Sequence, residues 1–204
     1  MKKVLQFSIC MLAVLTSIAT TYAKDNKVKV DDKNKKEITL TLDDVKQGQQ
    51  LLIKDINGLT LYKEDFKNTG SYSNTFNLSN LPNGSYYFEH EKDYQVKIIP
   101  FEIQSGAAAY NTANFVTLFK PVTRFKNNTV YISKLALNKE DLHIKIYYKK
   151  NSNTTHTDFE LLHSETISNQ VNIERIYSLS EKQQGEYKIV FETEGRFYTE
   201  YMHI

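Results

Sequence analysis

Gln50-Leu51-Leu52-Ile53-Lys54-Asp55-Ile56-Asn57-Gly58-Leu59-Thr60-Leu61 reads as two short apolar runs folded back on each other across four turn-forming residues. Asn57 and Gly58 accept the positive φ that a tight hairpin demands. Side chains alternate across a strand, so Leu51 and Ile53 are expected on one inner face, with Leu59 and Leu61 continuing that face after the turn. The stretch is a β-hairpin, and the rest of the chain follows its pattern.

Outward from this hairpin, segments rich in Ile, Val, Leu, Tyr, Phe and Thr alternate with clusters of Asn, Gly, Asp and Ser. Strands are expected near 27–30, 37–42, 50–55, 59–65, 74–78, 85–91 and 94–101. In the second half they are expected near 115–120, 129–137, 142–149, 159–166, 171–176, 186–192 and 197–203. After the first 23 residues no stretch keeps a helical apolar period. Pro82-Asn83-Gly84 marks a further turn, and Glu91-Lys92-Asp93 and Glu194-Gly195 close the last hairpin of each half. Tyr187, Ile189 and Phe191 alternate with Lys188 and Glu192, with Val190 as the exception. Burying one such apolar residue is worth roughly 1.5–3 kcal/mol, enough in sum to hold a sandwich together without cross-links. About seven short strands per half predict an all-β protein of two tandem immunoglobulin-like antiparallel β-sandwiches.

The halves match each other. Gly84-Ser85-Tyr86 and Gly185-Glu186-Tyr187 are 101 residues apart, and each Gly stands 19 residues before a closing Ile, Ile103 or Ile204. Equal spacing over a hairpin points to a duplicated unit. Gln104-Ser105-Gly106-Ala107-Ala108-Ala109 and the following Tyr110-Asn111-Thr112 read as a small-residue linker. At the N-terminus, Lys2 and Lys3 precede an apolar run from Val4 to Thr20, and Thr21-Tyr22-Ala23 supplies a cleavage site. That order is the pattern of a signal peptide. The expected organisation is a signal peptide at 1–23, a first sandwich at 24–104, a linker at 105–114 and a second sandwich at 115–204. No membrane span is expected to remain after cleavage.

Charge and composition narrow the function. Without Lys2 and Lys3 the chain carries 24 Lys+Arg against 24 Asp+Glu, so no electrostatic case exists for nucleic acid or anionic lipid. The single cysteine, Cys10, lies in the N-terminal apolar run, which leaves residues 24–204 without disulfides, thiol catalysis or thiolate metal sites. The five histidines, His90, His143, His156, His163 and His203, lack paired ligand spacing, so no metal site is expected. No Gly-x-Ser-x-Gly or phosphate-cradling loop occurs. The carboxylate pairs Glu89/Glu91 and Glu192/Glu194 each share one strand face and are expected to solvate hairpin turns. Tyr86-Tyr87, Tyr147-Tyr148 and Phe197-Tyr198 each place one ring inward and one outward. Outward rings serve cross-strand packing and could also stack on sugars. No catalytic residue, cofactor or metal is expected, and no binding residue can be named.

The Gln50–Leu61 run, followed by Leu81-Pro82-Asn83-Gly84-Ser85-Tyr86 and the closing strand Gln95-Val96-Lys97-Ile98-Ile99, resembles the C-terminal sorting domain of the Bacteroidetes type IX secretion system. The shared pattern is an apolar strand, an Asp-x-x-Gly turn, a second strand, a Leu-x-x-Gly-x-Tyr element and a closing hairpin. It covers residues 48–103 and, more loosely, 129–204, where Asn151-Ser152-Asn153-Thr154 replaces the Asp-x-x-Gly turn. Similar immunoglobulin-like repeats occur in secreted proteins of the same bacteria. The resemblance implies the sandwich fold and an exported chain, in the periplasm, on the outer surface or outside the cell. The expected function is that of a non-enzymatic envelope or extracellular protein acting through an unidentified protein partner or as a structural module. The alternative is a surface module that binds a glycan or another polymer through exposed Tyr and Phe.

Overall fold

The computed structural model describes residues 36–150, 158–180 and 184–204. The expected signal peptide, the strand at 27–30, His156 and the Asn151–Thr154 turn lie outside the described residues. The described chain is all-β and antiparallel. Its first strands are β1 (Glu37–Val45), β2 (Gln50–Asp55), β3 (Thr60–Asp65), β4 (Gly70–Asn77), β5 (Gly84–Glu91) and β6 (Gln95–Gln104). Next come β7 (Ala107–Tyr110), a 3-10 turn at Thr112–Asn114, β8 (Val116–Phe119), β9 (Val122–Lys126) and β10 (Thr129–Leu135). The chain ends with β11 (Leu142–Lys150), β12 (Glu160–Ile167), β13 (Asn172–Ser178), β14 (Gly185–Thr193) and β15 (Arg196–His203). No helix among the described residues is long and apolar enough to cross a membrane.

In the first half β1 pairs with β4, and a second sheet runs β3-β2-β5-β6-β7, with β8 also on β6. In the second half one sheet runs β13-β10-β9 and another β12-β11-β14-β15. The pairings of β10 through β15 thus repeat those of β1 through β6 one for one: first strand with fourth, then the order third, second, fifth, sixth. Each half has its own buried cluster drawn from both of its sheets. The first centres on Leu40, Leu42, Leu51, Phe88, Phe101 and Ile103. The second centres on Val130, Ile144, Ile173, Tyr187, Ile189 and Phe191.

The Asp-x-x-Gly turn has a hydrogen-bonding reason. Asp55 Oδ1 accepts from the amides of Asn57 (3.0 Å) and Leu59 (2.8 Å), and the Gly58 amide donates to Asp55 O at 3.0 Å. Gly58 sits at φ +84°, open to glycine at no steric cost. In the Leu-x-x-Gly-x-Tyr element the Tyr86 hydroxyl donates to Pro82 O at 3.0 Å, which pins the chain as it enters β5. The Tyr110 hydroxyl donates across to Thr39 O at 2.9 Å and so ties β7 to β1 of the other sheet.

Three expectations change. Leu59 and Leu61 do not continue the inner face of Leu51 and Ile53; they are 63% and 41% exposed. A register shift between Ile53 and Lys54 resets the alternation after the turn, and β3 is an edge strand whose inward ring is Tyr62, set edge-on to Phe76. The expected linker at 105–114 contains β7, whose Ala108 is buried in the first cluster. Alanine is a poor strand former, so nothing in its side chains announces this strand. Val116–Phe119, expected to open the second half, pairs with Gln95–Ile98 of β6. The pairing passes from one half to the other between β8 and β9, at Lys120-Pro121.

Candidate functional site

The four described histidines are dispersed. His90 is buried in the first half, His143 Nδ1 lies 2.8 Å from Thr166 Oγ1, and His163 stands 5.3 Å from the Tyr177 ring. His203 is exposed at the end of β15. Among the described residues no group of three or more His, Cys, Asp or Glu converges.

His90 is part of a polar knot below the β5–β6 turn. Its Nε2 donates to Gln49 Oε1 at 3.0 Å, and Gln49 Nε2 donates to Asp93 Oδ1 at 3.1 Å. Lys46 Nζ completes the knot on Asp93 Oδ2 at 3.0 Å. Burial, then the positive charges of Lys92 and Lys97, push the imidazole pKa down from 6.5 to about 4. Between those two values the unfolded chain carries a proton that the folded chain does not, so stability falls as pH drops through the window and levels off below it. At pH 5 the expected loss is about 2 kcal/mol, and His90→Gln, which keeps a donor but does not titrate, should flatten that part of the curve. Urea unfolding at several pH values checks this; parallel curves for the two proteins would refute it.

The carboxylate pairs expected at hairpin turns behave differently. Glu89 is completely buried. It points from the outer face of β5, and the second half covers it. Lys54 Nζ of β2 donates to Glu89 Oε1 at 2.8 Å. Arg196, the first residue of β15, donates through Nη1 to Oε1 at 3.2 Å and through Nη2 to Oε2. Two parallel bonds of this kind match the guanidinium fork to a carboxylate. Burial alone would raise the Glu89 carboxyl, but the hydrogen bonds and charges of Arg196 and Lys54 outweigh it and hold its pKa below the ordinary value. Arg196 is aimed by the hairpin before it, in which Glu194 and Gly195 both take positive φ, the geometry of a two-residue strand-to-strand turn. Near this contact lies a second one of opposite sign. The buried ammonium of Lys134 donates to Glu140 Oε1, and Glu194 Oε2 lies 3.8 Å away.

The aromatic pairs divide as expected in part. Tyr86 and Tyr198 pack inward, Tyr148 packs against Tyr187 at 5.0 Å, and Phe197 is exposed. On the outer face of the four-stranded sheet of the second half, Tyr201, Lys188, Tyr147 and Leu161 form one cross-strand row. Lys188 Nζ lies 4.7 Å from the Tyr147 ring centre and 4.3 Å from that of Phe159. Phe159 and Tyr201 are tilted by 59°, so they offer no common plane.

Two adjoining hollows, of about 310 and 640 Å³, lie on the outer face of the β9-β10-β13 sheet and share Val122, Ser133 and Glu174. The smaller is bounded by Tyr94 and Phe119 of the first half, the larger by Tyr131, Arg124 and Ile176. Sequence reading missed both features. Glu89 looks like any outward strand carboxylate, and Tyr131 has no neighbouring aromatic to mark it.

These features define an all-β antiparallel protein with two buried clusters and an ion-paired contact between its halves. Residues 26–100 match the family described as the secretion system C-terminal sorting domain. The resemblance read at residues 48–103 therefore holds, and the chain is an exported one, directed to the cell surface or beyond. A solved structure titled "Biofilm associated protein - BSP domain" aligns over 83% of the chain at 10% identity, with a TM-score of 0.25. The chain spans 27% of the length of that structure. The comparison with curated proteins gave no match.

Proposed function

We propose that the protein is a non-enzymatic module of the cell surface or extracellular space, made of two immunoglobulin-like sandwiches in tandem. It works as a rigid structural unit and through contacts with a protein partner. Several features support the immunoglobulin-like reading. One sheet of each half pairs the first strand with the fourth, and the other runs third, second, fifth, sixth, as in that fold. The Tyr86–Pro82 bond has the form of the tyrosine corner of such domains. Tyr187 occupies the matching position of the second half and is fully buried.

The observation that carries the functional reading is the clamp of Arg196 on buried Glu89. Flexible tandem domains meet through small, wet contacts; here a carboxylate of one half is desolvated and bound bidentately by the other. A protein partner has a docking edge in β3, which among the described residues pairs only with β2. Ile56, Leu59 and Leu61 are exposed beside that edge, and an added strand could use its free backbone groups. The glycan reading gains nothing from the Tyr147–Tyr201 row: Lys188 covers the Tyr147 ring, and Tyr201 is tilted against Phe159 with no common plane.

Small-angle scattering on the exported chain tests the rigid junction. The native protein should fit one arrangement of its halves, and Arg196→Ala should broaden the distance distribution while each half stays folded by circular dichroism. Equal distributions in the two proteins would overturn the reading.

A further inference from the structure

We propose that the trough formed by the two hollows on the β9-β10-β13 face is a binding site for a neutral oligosaccharide. The inference goes beyond the rigid-module reading but uses it, because one wall, Tyr94, comes from the first half and is fixed only if the junction is. The trough follows β10 from Leu135 to Tyr131, four steps of about 3.4 Å each, or about 14 Å, long enough for a short oligosaccharide.

Its chemistry selects the ligand class. Register places Arg124, Tyr131 and Ile176 side by side in one row, and Val122, Ser133 and Glu174 in the next. Each row therefore sets apolar side chains (Tyr131 and Ile176 in one, Val122 in the next) beside hydrogen-bonding groups: guanidinium in the first, hydroxyl and carboxylate in the second. A sugar ring presents the same pair of surfaces, an apolar C–H face and a rim of hydroxyls that both donate and accept. Tyr131 is 41% exposed and Tyr94 64%. Among the described residues neither ring takes part in a cation–π contact or ring stacking, in contrast to Tyr147.

Charge argues for neutrality. Arg124 and Glu174 carry opposite signs; of the other lining cations, Lys120 is turned to Glu91 at 3.6 Å, Arg175 Nε donates to Glu165 at 3.2 Å and the buried Lys134 is held by Glu140. The trough thus has no net field to attract an anionic or cationic polymer. An extended peptide is disfavoured for a different reason. β10 is hydrogen-bonded on both sides, to β9 and to β13, so its backbone has nothing left to offer a peptide strand. An occupant lying along the face over β10 is therefore met by side chains, which is how sugar hydroxyls are bound.

The test is titration of the exported chain with short neutral oligosaccharides of gluco-, manno-, galacto- and xylo- type, followed by amide NMR shifts. Shifts should localise to β9, β10 and β13, and Tyr131→Ala should weaken binding about tenfold, the loss of one well-packed ring contact. Glu174→Gln, which keeps the shape but removes the charge, should also weaken it. Tyr201→Ala, on the other aromatic row, should leave affinity unchanged. No shift with any of these sugars, shifts elsewhere, equal loss from Tyr201→Ala, or binding of charged oligosaccharides or peptides alone would each overturn the proposal. Such a failure would leave the scattering result at the junction untouched, so the two readings stand or fall separately.

Discussion

Glu89→Ala should destabilise the protein by about 3 kcal/mol, although the residue belongs to neither hydrophobic core. Removing one partner of a buried ion pair leaves the others desolvated without compensation, which typically costs 3–5 kcal/mol. Here two cations are stranded, and both keep some solvent: the side chains of Lys54 and Arg196 are 17% and 22% exposed. That places the loss toward the lower end. Arg196→Ala should cost less, because Lys54 still neutralises the carboxylate at 2.8 Å. Since the Glu89 pKa is lowered in the fold, its contribution is present above the ordinary carboxyl range and is lost as pH falls through the depressed value. Chemical denaturation of the two single variants and the double variant measures the coupling directly. A near-zero coupling between Glu89 and Arg196 would show the contact to be incidental.

Gly185→Ala should cost about 2–3 kcal/mol, well above the usual glycine-to-alanine effect on a strand. A Cβ at this position would lie 2.3 Å from the Lys149 carbonyl oxygen and 2.8 Å from the Tyr148 ring. The first obstacle is backbone and cannot swing aside, so β11 and β14 must separate at the end of the central pair of the sheet. The neighbouring bonds between Gly185 and Ile204, both 3.1 Å, would be strained with it. At Gly84, its counterpart in the first half, an added methyl would meet no heavy atom nearer than 3.7 Å, and the nearest belong to Tyr86. Alanine there must take φ +159°, at the edge of the extended region, but meets no backbone, so the same substitution should cost clearly less. Thermal unfolding of the pair decides it, and equal losses would show that crowding is not what keeps Gly185.

The contrast between these glycines shows what the sequence could and could not convey. Their shared spacing to Tyr86 and Tyr187 is visible in the chain and marks matching strands in the two halves. The reason for each glycine is tertiary and is not. Alternation located the strands at Gln50–Asp55 and Gly185–Thr193 well, because one face of each is apolar. It misplaced Leu59 and Leu61, because a bulge after an edge turn changes the face without changing the pattern. β7 went unread because three alanines carry no strand signal, and β9 because it is short and follows Pro121. Signals were present for both: Ser105-Gly106 and Asn127-Asn128 take positive φ in two-residue hairpins, and Gly106, Asn127 and Asn128 are residue types that accept it. For the site the position is harder. Glu89 and Tyr131 become distinctive only when another part of the chain is laid beside them, and neither carries a local motif.

The pairing order has a kinetic side. β1 pairs with β4 and with neither β2 nor β3, with Glu37 opposite Asn77, and His143 meets Glu192 across a comparable loop. Such distant partners require loop closure before any contact repays it, which puts the fold among slowly forming topologies, in milliseconds to seconds. For an exported chain, slow closure lengthens the time in which the polypeptide is still unfolded. With no cysteine after Cys10, no disulfide has to form before Arg196 can meet Glu89.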